Sequence, residues 1–206
     1  MEQLSVLARV LWAAVARSRD GILTKALAKL AYFVDLRSAT ETGRTLTGAT
    51  WRFDDFGPFT PEVYAATDEL VAAHLIGIQH RTSPQGYQYR VHRALRSPDL
   101  HALFDAGASR LVDETLTAFN GLDGEVLQEI AYTTAPIVYA KRGEVLDMER
   151  DHRKRQHMEA RGVPVKAIQE RLRARKRTPS GTPEQRAEQD RKVMEEMAAL
   201  RRTTDA

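Results

Sequence analysis

Nineteen residues, Leu46 to Tyr64 (LTGATWRFDDFGPFTPEVY), constrain the fold of this chain more than any other stretch. They hold one Trp, three Phe and one Tyr, where aromatics are only 7% of the whole. Burying Trp51, Phe53, Phe56 and Phe59 is worth roughly 1.5–3 kcal/mol each. Two glycines and two prolines punctuate the same stretch. It is therefore read as a packed connector between helices. Thr50, Arg52 and Asp54 alternate with Trp51, Phe53 and Asp55, a pattern compatible with a short strand. Gly57-Pro58 makes a sharp turn. Thr60 is a good N-cap, Pro61 suits the first helical position, and Glu62 suits the positive end of the helix that follows.

Helical spacing surrounds this connector. Leu4, Leu7, Leu11, Ala14 and Val15 predict an amphipathic helix over 2–17. Thr24 is expected to cap a second helix running to about Thr42, with Leu27, Leu30, Ala31 and Val34 on one face and Gly43 at its C′ position. A third helix is expected from Pro61 to about Leu75, with Val63, Ala66, Leu70, Val71 and His74 turned inward. IGIQHRTSPQGYQYRVH then reads as a β-hairpin, turning at Ser83-Pro84-Gln85-Gly86. Helix followed by hairpin resembles the end of a winged-helix unit. Asp99 to Asn120 returns to helix, with a break expected at Gly107. Asp123 caps another helix, which Thr134-Ala135-Pro136 interrupts. The body is expected to end near Met148. The expectation is a mostly α (α+β) fold: a compact helical domain over 1–148 with a small hairpin and short strand, and a charged extension over 149–206, partly helical or disordered without a partner.

Charge separates those two parts. Residues 141–178 carry 13 Lys/Arg against 6 Asp/Glu, whereas 1–140 carry 13 against 16. The sequence pI of about 9.3 thus comes from one basic block. The absence of cysteine excludes disulfides, thiol catalysis and Cys-ligated metal, and fits a reducing cytoplasm. No apolar run is long enough for a membrane span. Residues 183–202 read as one more helix with a narrow stripe of Val193, Met194, Met197 and Leu200, which needs a partner surface.

The search for chemistry yields no catalytic or metal constellation and no cofactor. The six histidines do not pair at helical metal spacings, and there is no phosphate-cradling glycine loop or nucleophile elbow. Asp54 and Asp55 are adjacent, and neighbours on a strand point to opposite faces. The plainer reading is one solvated carboxylate and one bonded to a turn amide. In the basic block, Arg153, Lys154, Arg155, Arg171, Arg173, Arg175, Lys176 and Arg177 are candidate nucleic-acid contacts. Interspersed Glu149, Asp151, Glu159 and Glu170 and the lack of an aromatic to stack on bases favour instead a solvated helix, a flexible or partner-ordered arm.

An ordered series of motifs resembles the Panacea domain of SocA-like antitoxins from bacterial and phage toxin–antitoxin systems. The series starts with Leu23-Thr24-Lys25 and Lys29-Leu30-Ala31-Tyr32-Phe33, and continues with Thr42-Gly43-Arg44-Thr45-Leu46. It closes with Phe56-Gly57-Pro58, Pro61-Glu62-Val63-Tyr64 and the later Thr-x-x-Pro helix in TTAPIVYAKRGEVLDM. The resemblance spans about Leu4 to Met148, and the middle from His80 to Leu111 matches only in layout. It implies a non-enzymatic protein whose partner is a toxin encoded beside it, neutralised by direct binding. A host protease enters if the toxin is delivered for degradation. The alternative, read from the helix-hairpin unit and the basic tail, is a DNA-binding transcriptional regulator acting on promoter DNA, and both readings hold together if the operon is autoregulated. Trp51, Arg52, Phe53, Asp54 and Asp55, with Val193, Met194 and Met197 of the tail, are the candidate toxin contacts. Trp51 and Arg52 read equally as core, and Phe56 and Phe59 are expected to be core residues fixing the turn.

Overall fold

In the computed structural model, which describes residues 4–161 and 170, the first helix, α1 (Val6–Ala16), begins where the Ser5 hydroxyl accepts from the Ala8 amide. A two-residue strand, β1 (Ile22–Leu23), separates it from α2 (Thr24–Thr42). Thr24 is the first residue of α2 and not its cap. The cap position falls on Leu23, because Ile22 and Leu23 are held extended by pairing with a later strand. Gly43 ends α2 as expected, in the left-handed conformation with φ 80° and its amide on Ala39 O.

Helix α2 is the axis of the domain. It packs against α1, against α5 (Ala106–Ala118) and α6 (Gly124–Tyr132), and against one strand of the aromatic connector. Its buried residues face every side: Leu27, Leu30, Tyr32 and Val34, but also Lys29, Asp35 and Ser38. A helix buried all round has no solvent stripe, so its polar side chains must find partners within the protein.

The aromatic connector folds into a short hairpin, β2 (Arg52–Asp54) against β3 (Gly57–Phe59), with Arg52 opposite Phe59 and Asp54 opposite Gly57. Residues 143–146 run along the free edge of β2. Phe53 N–H donates to Glu144 O at 2.9 Å, Gly143 N–H to Phe53 O at 2.6 Å and Leu146 N–H to Trp51 O at 2.8 Å. The edge that β2 would otherwise expose is thereby closed.

Helix α3 (Glu62–Ala72) follows, shorter than its apolar pattern. His74 takes a positive φ of 55° and Leu75 N–H returns to Leu70 O, so the chain turns out of the helix early. Val71 and His74, expected inside, are exposed. Strands β4 (Ile76–Thr82) and β5 (Gln88–Ala94) form the expected hairpin, and β1 joins it to make a three-stranded antiparallel sheet in the order β1-β5-β4.

The segment expected to be one helix broken at Gly107 is instead α4 (Leu100–Leu103) and α5, parted at Phe104. Asp105 decides this, because its carboxylate caps the Ala108 amide and starts α5 ahead of the glycine. Asp123 caps α6 as expected, accepting from the Glu125 and Val126 amides. A short α7 (Ala135–Val138) carries Pro136 in its first turn, where the missing amide costs nothing. Met148 is the last buried residue among those described, and α8 (Arg150–Ala160) buries none. The chain divides into two units at Arg153 and Lys154. Among the described residues the fold is mostly helical, with the hairpins as its β component, and no helix is long and apolar enough to cross a membrane.

Candidate partner-binding surface

Three polar side chains of α2 hold the β2–β3 hairpin in place. Lys29 is 2% exposed and its Nζ donates to Pro58 O at 2.8 Å. Burial, with repulsion from Lys25, lowers its pKa to about 8, and nearby Asp54 opposes that shift. Asp35 is fully buried and accepts from Trp51 Nε1 at 2.8 Å, from the Thr47 amide at 2.8 Å and from the Thr47 hydroxyl. Burial still raises its pKa against those donors. Tyr32 OH lies 2.6 Å from Thr134 Oγ1. Thr134 gives its own proton to Ala131 O, so Tyr32 is the donor of that pair. Burial pushes the Tyr32 phenol up.

Aromatic packing completes the clamp. Trp51, 1% exposed, meets Tyr32 edge-on with centroids 5.6 Å apart. Phe53 meets Tyr132 at 5.9 Å, and Phe33 stacks on Phe119 at 4.2 Å. The hairpin turn needs Gly57, whose φ of +89° few side chains adopt. A bare Cβ there would come no closer than 3.5 Å to any side chain, the nearest being Lys29 Cε, so the conformation and not crowding selects glycine.

Some of the motif residues expected from sequence meet at the hairpin, and others lie at helix ends. Lys29, Tyr32, Gly57 and Pro58 build the clamp, and Phe33 and Gly43 shape α2 and its end. Thr24 and Lys25 start α2, and the cap position of α3 falls on Pro61, one residue later than the Thr60 expected there, so Glu62 is the first helical residue. Tyr64 is 43% exposed, edge-on to Phe59 at 5.8 Å.

The candidate contact residues divide by burial. Trp51 lies in the core, and Phe53 is half-buried. Arg52, Asp54 and Asp55 face solvent around the hairpin tip. Asp54 Oδ1 accepts from the Asp55 amide at 2.8 Å, and Asp55 pairs with Arg142 at 2.9 Å. Arg52 donates to Gly143 O at 3.3 Å. Phe56, expected in the core, is 52% exposed. Its ring sits under Lys25 Nζ at 3.2 Å from the centroid, because the tight turn carries it past the end of the buried region. The tip therefore presents one aromatic ring among charges of both signs. Arg153 is ion-paired with Asp147 and Glu149. Lys154 and Arg155 lie on α8. Arg171, Arg173, Arg175, Lys176, Arg177, Val193, Met194 and Met197 lie outside the described residues.

Asp35, Thr47, Tyr132 and Arg142 were not singled out in the sequence. Asp35 carried a signal, as the one acid within the apolar run KLAYFVDL. An ion in a core-facing helix needs a partner. A cavity of about 570 Å³ opens between the end of α1, the start of α2 and the α5–α6 loop. Its lining includes Ser18, Asp20 and Asp123, and the Ser18 hydroxyl donates to Gly21 O at 2.8 Å.

A family model described as "Antitoxin SocA-like, Panacea domain" matches residues 27–136, just over half of the chain, from within the first turn of α2 into α7. No curated protein and no solved structure matches.

Proposed function

The chain belongs to the SocA-like antitoxin family with a Panacea domain, and from that membership we propose that it neutralises a toxin protein by binding it. The family match carries this reading. The partner is a toxin encoded beside this chain, met in the cytoplasm, and the chain acts without chemistry of its own. The domain over 1–148 supplies the main contact, and the extension over 149–206 a second one.

The exposed tip of the β2–β3 hairpin is the contact that the geometry favours. Phe56 is a large ring left half in water, with Arg52, Asp54 and Asp55 around it. Binding hot spots favour aromatic and arginine anchors surrounded by a polar rim. The clamp beneath holds the tip rigid, so little ordering entropy is lost on association.

The test is co-expression with the product of the adjacent open reading frame, scoring growth and co-purification together. The expected result is a neighbour that is toxic alone, tolerated with this chain, and co-eluting with it. A harmless neighbour that does not bind overturns the reading. Arg52→Glu with Phe56→Ala is expected to abolish rescue while leaving the thermal unfolding midpoint nearly unchanged. Full rescue by that folded variant moves the contact elsewhere.

A further inference from the structure

The β4–β5 hairpin contrasts with everything around it. From 79 to 90 every residue is exposed except Ser83, which is half-buried. The hairpin therefore projects as a two-stranded ribbon, touched on one face where Arg90 lies over the Tyr64 ring of α3 at 5.6 Å. Only its base is anchored, by buried Ile76, Val91 and His92 and by the pairing of β1 to β5 at Ile22–His92 and Leu23–Val91. Isolated two-stranded ribbons are marginal in water, so one that projects this far stands apart from the packing of the fold.

Its charge is one-sided. No Asp or Glu occurs between Leu75 and Pro98, while Arg81, Arg90, Arg93 and Arg96 all do. Among the described residues none of these four arginines forms an ion pair with a carboxylate. Elsewhere in the domain Arg17, Arg37 and Arg142 each do. Register places Arg81 opposite Tyr89 and His80 opposite Arg90. Cross-strand partners share a face and successive residues alternate, so Arg81 and Arg90 point to opposite sides of the ribbon. Gln79, Thr82, Gln85 and Gln88 add neutral donors, and Tyr87 is 74% exposed near the turn.

We propose that this ribbon enters the major groove of duplex DNA, with Arg81 and Arg90 reaching the two phosphate walls. The major groove, about 12 Å wide, admits a two-stranded β-ribbon. Arginine, glutamine, threonine and tyrosine are the side chains that contact phosphate and sugar. Helix α3 packs against β4 and exposes Glu62 and Asp68, and its Tyr64 ring lies 5.6 Å from the Arg90 guanidinium. The contact is therefore small, sequence-tolerant and electrostatic. It stands independently of toxin binding and uses none of the β2–β3 tip residues.

The experiment is fluorescence anisotropy of the full chain with a labelled mixed-sequence duplex of about 20 base pairs, titrated between about 50 and 200 mM salt. Two phosphate contacts predict that the ribbon contributes a slope of about −2 to log Kobs against log salt. Arg81→Ala with Arg90→Ala is expected to weaken binding at least ten-fold at low salt and to remove that part of the slope. Arg81→Lys with Arg90→Lys, which keeps the charges, is expected to retain most of the affinity and separates phosphate contact from a folding defect. Reading each variant against the unaltered chain cancels contacts made by basic residues elsewhere. The proposal is overturned if the unaltered chain does not bind, or if the double alanine variant binds as tightly with the same slope. Binding to poly-glutamate but not to the duplex also overturns it, in favour of an acidic protein partner.

Discussion

Two hairpins in this domain treat the same kinds of residue in opposite ways. In β2–β3, Trp51 and Phe53 turn inward, and buried Lys29 and Asp35 meet the backbone and the indole. In β4–β5, Tyr87 and Tyr89 face water and the arginines meet no acid among the described residues. Length does not cause the difference, since β4–β5 is the longer pairing. What differs is what lies alongside. The first hairpin is pressed between α2, α6 and the 143–146 strip, so its side chains have partners within reach. The second leaves the sheet beyond the reach of β1 and, apart from Arg90 over the Tyr64 ring, meets solvent on its faces. An aromatic hairpin acts as core or as contact surface according to its neighbours, not its composition.

The largest effect that would break this comparison is at Trp51. Trp51→Ala is expected to cost about 4 kcal/mol in urea unfolding, since it empties a core site and strips Asp35 of a donor. Trp51→Phe keeps most of the ring and loses only the N–H, and is expected to cost about 1–3 kcal/mol. If Trp51→Ala proves no worse than a surface substitution, the first hairpin is not clamped.

Next comes the pH profile of Lys29. Its folded pKa, about 8, lies below the unfolded value of about 10.4. Between those values the unfolded chain holds more protons, so stability is expected to rise as pH climbs from 8 to 10.5. Measured as the difference between the unaltered chain and Lys29→Met, the gain is expected to reach roughly 3 kcal/mol at most. A flat difference profile would mean that the amine is solvated.

Smaller effects sharpen the contrast. Gly57→Ala must hold an alanine at φ +89° and is expected to cost about 1–2 kcal/mol, read as a lower thermal midpoint. Tyr87→Ala removes a ring of similar size from the other hairpin. It is expected to change stability by less than about 0.5 kcal/mol.

Much of this was legible before any coordinates. The apolar spacing of α1 and α2, the glycine ending α2, the Ser83–Gly86 turn and the Asp123 cap are local signals, and each was found where its chemistry placed it. The aromatic richness of Leu46–Tyr64 announced a packed connector. What escaped was non-local. The split at Phe104 depends on Asp105 outcompeting a glycine that looked like the break. The strand Ile22–Leu23 exists only because β5 lies beside it. Phe56 read as core by composition, yet a tight turn carried it past the buried edge to Lys25. The pairing of Asp35 with Trp51 joins residues sixteen positions apart across a helix end, and no spacing rule reports such a contact.

The strip along β2 also has a mechanical meaning. Residues 143–146 run antiparallel to β2, and their three backbone bonds at Trp51 and Phe53 lie across the direction of the chain. A pull on the chain beyond Met148, directed along that strip, loads all three bonds together in shear. They do not open one after another like a zipper. The junction to the extension thus acts as a strain-relief knot, and tension applied there is shared with the indole buried against Asp35.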